Sequence, residues 1–226
     1  MMHYRCLHPL LLLLCTTILL HNKYTAAQEA DTEQEKVDQT LQTLLTAVRQ
    51  DNPKAIQKAT ALPSFGAVIN AQDPRSGQTP LMMATLQGKS PNTIRALLSA
   101  GADSSIGEHM GYTPMHGVGF QGRHDLAAVF VSEYGLEVDD VHEGDGYTPL
   151  HRACWGAEDR HTKTVEALIL LGADPDRKMC QNNGDGGDEK CQHLADLTQN
   201  LATKRVLLEH AKKYGLVGGA AATGEL

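Results

Sequence analysis

Gly77-Gln78-Thr79-Pro80-Leu81, Gly111-Tyr112-Thr113-Pro114-Met115 and Gly146-Tyr147-Thr148-Pro149-Leu150 are three copies of one phrase, 34 and 35 residues apart. A phrase that recurs at this period marks an array of small structural units. Each position has a mechanical task. Gly allows a backbone conformation that a side chain forbids. Thr can cap the free amides at a helix start, and Pro fits the first helical turn because its missing N–H costs nothing there. The apolar residue then opens a buried face, which each unit can hide only by stacking on its neighbours.

Working outward, the pattern predicts a helix over 81–86, a turn over 87–91 and a second helix over 92–99 behind the first copy. The copies end in Gly101-Ala102-Asp103, Gly135-Leu136-Glu137 and Gly172-Ala173-Asp174, with Gly as the helix stop signal. This order of Gly, Thr-Pro, helix, Gly turn, helix and Gly-Ala-Asp resembles the ankyrin repeat, and Thr148-Pro149-Leu150-His151 is its closest match. The resemblance implies an all-α ankyrin-repeat solenoid of about five helix-turn-helix units with finger loops. The units run over 37–73, 74–107, 108–142, 143–178 and 179–215. The first lacks the Thr-Pro phrase: a helix end over 44–49 leads through Asp51-Asn52-Pro53 to a helix over 54–62, and 68–73 reads as the strand-like start of a finger. The last is degenerate, with His193-Leu194-Ala195 and Arg205-Val206-Leu207-Leu208 as its traces and a long insertion over 179–190.

The N-terminus carries Arg5, an apolar run over 10–20 and Thr25-Ala26-Ala27, the order of a secretory signal cut after Ala27. The run is too short to span a bilayer comfortably, so the expectation is export of the mature chain: secreted, lumenal or, in a prokaryote, periplasmic. An anchor that is kept is the lesser reading. Loss of 1–27 would move the formal net charge from −7 to about −9. Residues 28–36 read as an acidic flexible lead-in and 216–226 as a flexible tail. Lys204-Arg205 and Lys212-Lys213 suit the end of a last helix better than a phosphate backbone, so neither nucleic acid nor an anionic membrane is an expected partner. Cys154, Cys180 and Cys191 remain after processing. Cys180 and Cys191 bracket the insertion and are the disulfide candidate, whereas Cys154 reads as a buried thiol.

His116 and His151 share the slot after Thr-Pro, and His124 and His161 also fall in register. Recurrence in register is what repetition produces, while a metal site needs convergence from different positions. The resemblance implies structural hydrogen bonds for these histidines, and no metal or other cofactor is expected. The acidic loop 182–189 lacks the spacing of an EF-hand. A metal- or thiol-dependent enzyme that uses His151, Cys154 and the Cys180–His193 region, and a self-assembling structural array, are the two alternatives to a monomeric binding module.

The scarce aromatics point to the binding surface. Gln78, Tyr112 and Tyr147 precede the Thr-Pro step in successive units, and Leu86, Phe120 and Trp155 form a second row. The resemblance puts both rows on the concave side, at the finger base and the inner helix. Arg75, His109, Met110 and Asp145 would rim this groove, with Gln121 beside Phe120. The expected partner is a protein or peptide. About 400 Å² of such surface gains roughly 10 kcal/mol against an association cost of about 4–15 kcal/mol, so polar finger contacts must set specificity.

Overall fold

The computed structural model describes residues 8–181 and 190–213. The inserted loop 182–189, read above as acidic and without the spacing of an EF-hand, and the tail 216–226 lie outside the described residues. The chain opens with α1 (His8–Arg49) and continues through α2 (Pro53–Ala59), α3 (Phe65–Val68), α4 (Pro80–Leu86), α5 (Pro91–Ser99) and α6 (Pro114–Gln121). Then come α7 (His124–Ala128) with a π-turn (Val129–Glu133), α8 (Pro149–Cys154) and α9 (Asp159–Leu170). The strands β1 (Met179–Gln181) and β2 (Lys190–Gln192) precede α10 (Leu194–Leu197) and α11 (Leu201–Lys213).

The helices form two rows. The C-terminal end of α1, α4, α6, α8 and α10 stack in one, and α2, α5, α7, α9 and α11 in the other. Each repeated phrase starts a helix of the first row. Thr79 Oγ1 accepts from the Met82 amide at 3.2 Å, Thr148 Oγ1 from the His151 amide at 3.4 Å, and Pro fills the first turn each time. Gly77, Gly111 and Gly146 sit at φ of +72°, +88° and +73°, which explains the invariant first letter of the phrase within this chain.

The core lies between rows and between neighbours. Leu81 and Ala84 on α4, Met115 and Val118 on α6, and Leu150 and Ala153 on α8 are sealed from solvent, as are Ile94, Leu97, Leu126, Phe130, Val165 and Leu168 of the second row. Each such large side chain gains roughly 1.5–3 kcal/mol from burial. A second link recurs at the turn between paired helices. Lys89 Nζ donates to the Arg49 carbonyl at 2.7 Å, Arg123 Nη2 to Lys89 at 2.9 Å and His161 Nε2 to Phe120 at 3.2 Å. Every unit thereby holds the one before it.

Four details depart from the sequence reading. The stretch 28–36 is the solvent-exposed middle of α1, a helix its Glu, Gln and Ala residues favour. Segment 65–68 is a helical turn that buries Phe65 and Val68, and a turn follows at 69–70, where the strand-like finger start over 68–73 was expected to begin. In the third unit the second helix widens into the π-turn, so the Leu136 amide closes on Phe130 (3.0 Å), while Ala102 and Ala173 close on Leu97 and Leu168, one residue nearer. Finally, the insertion adds a two-stranded antiparallel hairpin to an otherwise helical array, with Cys180 directly opposite Cys191. The side chains of that pair lie outside the described residues.

Candidate functional site

Three finger loops stand before the first-row helices, each closed by backbone bonds. Gly77 donates to the Asp73 carbonyl (2.8 Å), Gly111 to Glu108 (2.7 Å) and Gly146 to His142 (2.8 Å). His142 fastens the second finger to the third by placing Nε2 2.6 Å from the Met110 carbonyl. His109 packs against Gly77 and donates its amide to the Ser76 carbonyl at 3.1 Å. The fingers therefore form a braced wall.

In the angle between that wall and the first row lies an apolar cup of about 240 Å³. Met82 and Leu86 of α4, Gly117 and Phe120 of α6, Met110 and Tyr112 of the finger, and the polar groups Gln78, Glu108, His116 and Arg152 line it. Met110, Phe120 and Trp155 are about half exposed or more, at 71%, 56% and 46%. Of the predicted surface, Gln78, Leu86, Met110, Tyr112 and Phe120 meet in this cup. Tyr147 and Trp155 lie against Arg152 and, like Gln121 and His109, do not line the cup.

Arg152 is the residue the sequence reading missed. Its guanidinium carbon lies 3.9 Å from the ring centre of Tyr112, 4.6 Å from that of Trp155 and 5.1 Å from that of Tyr147. Trp155 in turn meets Tyr147 edge-on at 4.7 Å, and Tyr112 stacks its other face on His142 at 3.8 Å. The rings are thus layered on a cation instead of standing as free apolar plates. A signal was available: aligning the units puts Met83, Gly117 and Arg152 in one slot, so Arg152 extends toward a neighbour with no side chain at that position.

Asp145, expected as part of a soft rim, is the tie of this layer. It accepts from the Tyr112 hydroxyl and from the Tyr147 amide at 3.0 Å, and it lies 2.7 Å from His142 Nδ1. Arg152 Nη2 reaches it only at 3.4 Å. Burial works to raise the Asp145 carboxyl, yet the hydrogen bonds from Tyr112, Tyr147 and His142 hold it below its ordinary value. Burial, helped by the bond to Asp145, pushes the Tyr112 hydroxyl up to about 12.

The histidines after Thr-Pro are structural. His116 Nδ1 accepts from the Thr113 amide (3.4 Å), and its Nε2 donates to the Tyr147 carbonyl (3.1 Å) in the next unit. His151 Nδ1 accepts from the Thr148 amide at 3.2 Å. Its Nε2 faces the Arg177 carbonyl without a hydrogen bond of ordinary geometry. Cys154 is sealed from solvent, and burial pushes its thiol up to about 12, the reverse of an activated nucleophile. Among the described residues no group of three His, Cys, Asp or Glu side chains is placed to hold a metal ion.

Comparison with known proteins agrees with this architecture. The family model described as "Ankyrin repeat" matches residues 76–107 and 145–180. These matches support an ankyrin-repeat protein. The matches cover its second and fourth units and pass over the third, where the π-turn and two helical glycines break the pattern. Neurogenic locus notch homolog protein 1 of Danio rerio is 28% identical over 151 residues, 67% of this chain. The ankyrin chain spans only 6% of that relative's length. Ankyrin repeats are general protein-interaction modules, which supports a binding role for the array.

Proposed function

We propose that the array is a non-catalytic binding module that holds a peptide segment of a partner protein in the trough between the fingers and the first-row helices. The exposed Met110 and Phe120 lining one apolar cup, with the half-exposed Trp155 against Arg152 at its edge, support this reading, because exposed apolar surface on a braced wall is costly to keep without an occupant. The chain acts as a monomer. Changing Phe120 and Trp155 together to Ser should leave the helical CD signal intact and weaken capture of proximity-labelled partners by about tenfold or more. Undiminished capture by the folded variant would place the binding surface elsewhere.

Residues 1–27 serve as a secretory signal in this proposal, so the protein works in an exported or lumenal compartment. No helix among the described residues is long and apolar enough to cross a membrane. Export exposes the chain to oxidising conditions, under which the register partners Cys180 and Cys191 form a bridge that closes the insertion. It contributes about 2–3 kcal/mol. Alkylation of native-source protein in denaturant without reductant should modify Cys154 alone among these three cysteines. Three modified thiols would remove the bridge.

A further inference from the structure

We infer that the partner segment carries a bulky apolar side chain beside a carboxylate, with the cup taking the first and Arg152 the second. The inference rests on the trough reading above and adds the chemistry of the occupant.

Arg152 is held as a receptor would be. Tyr112, Trp155 and Tyr147 cover its guanidinium at 3.9, 4.6 and 5.1 Å, and only 12% of the side chain is exposed. Aromatic faces attract the cation but accept no in-plane hydrogen bond of full strength. Its sole acceptor among the described residues is Asp145, through Nη2 at 3.4 Å, so Nε and Nη1 donate to none of the described groups. Asp145 cannot move closer without giving up Tyr112, His142 or the Tyr147 amide. A guanidinium fixed in orientation, with its donor edges unused and an apolar cavity beside it, is complementary to a planar anion.

The cup limits what brings that anion. It is mainly apolar, and the bare Gly117 lets Thr85 and Leu86 close on α6, since a Cβ there would meet them at 3.3 and 3.4 Å. Glu108 also lines the cup and accepts weakly from the Tyr112 amide at 3.4 Å. It tempers the positive charge, so an anion without an apolar anchor gains little, and an apolar residue without an anion leaves Arg152 with only its long contact to Asp145. Both parts are needed.

Trp155 is the chain's single tryptophan and reports on the site directly. Three acetylated, amidated tetrapeptides test the idea on the full chain: Gly-Leu-Asp-Gly, Gly-Leu-Asn-Gly and Gly-Leu-Lys-Gly. The Asp peptide should change Trp155 fluorescence saturably, with Kd of about 1–5 mM. The Asn peptide should bind about tenfold more weakly, and the Lys peptide more weakly still. Arg152→Gln, checked for folding by CD, should erase the Asp-over-Asn preference. Equal binding of Asp and Asn peptides, preference for Lys, or no response to any of them overturns the carboxylate assignment. If peptides bind without preference and Phe120→Ala abolishes the signal, the trough stands and only the carboxylate falls.

Discussion

A Gly119→Ala variant should lose about 3 kcal/mol of stability, the upper end of what overpacking costs. A Cβ at Gly119 would lie 2.0 Å from the Pro149 carbonyl oxygen, 2.9 Å from its carbon and 3.2 Å from Arg152 Cβ. Two of those atoms are backbone in the next unit, so no rotamer change relieves the contact. Helices α6 and α8 would have to separate, opening the packing of Met115 and Val118 on Leu150 and Ala153. Helix propensity acts the other way, since Ala in a helix is worth about 1 kcal/mol over Gly, and the clash must exceed it. Gly66→Ala is the control: its Cβ meets nothing within 4 Å, and the substitution should be neutral or stabilise by up to about 1 kcal/mol. Urea unfolding followed by CD separates the two. If Gly119→Ala unfolds at the wild-type midpoint, α6 and α8 do not approach as described.

Gly119 also illustrates what was legible in the sequence. The Gly-x-Thr-Pro phrase fixes helix starts because it acts locally: a positive φ, a cap and a proline each need only neighbours along the chain. Stacking in constant phase then places every copy, so the ankyrin resemblance could assign Leu86, Met110, Tyr112 and Phe120 to one wall. What stayed hidden depends on contacts between units. Gly119 reads as a poor helix residue until Pro149 lies against it. Arg152 reads as a surface cation until three rings close around it, and Asp145 as a finger acid until Tyr112 reaches it from 33 residues away. The hairpin was missed for a related reason, because Met179–Gln181 and Lys190–Gln192 have too few residues to show an alternating pattern.

The second large effect is on acid stability, and its sign follows from His151. Burial is the leading cause that brings this imidazole from 6.5 to about 4, and the nearby Arg177 charge adds to it. Between those values the unfolded chain takes up a proton that the folded chain refuses. Stability is therefore complete above pH 6.5 and falls as pH drops toward about 4, by roughly 3 kcal/mol for this one residue. His116 acts in the same direction, since burial lowers it, while Asp140 and the Tyr147 carbonyl partly oppose the shift. Asp139 acts in reverse, because burial raises its carboxyl and protonation there favours the folded state. Asp145 and Asp125 are held low by their hydrogen bonds, so their contribution outlasts the histidine step and is lost only in stronger acid. Chemical unfolding between about pH 8 and pH 4 should show a descending limb below 6.5 that His151→Gln flattens, because Gln can still accept from the Thr148 amide but takes up no proton. A wild-type profile that stays level down to about pH 4.5 would mean that the imidazole meets solvent, and the tight stacking of the fourth unit on the fifth would fall with it.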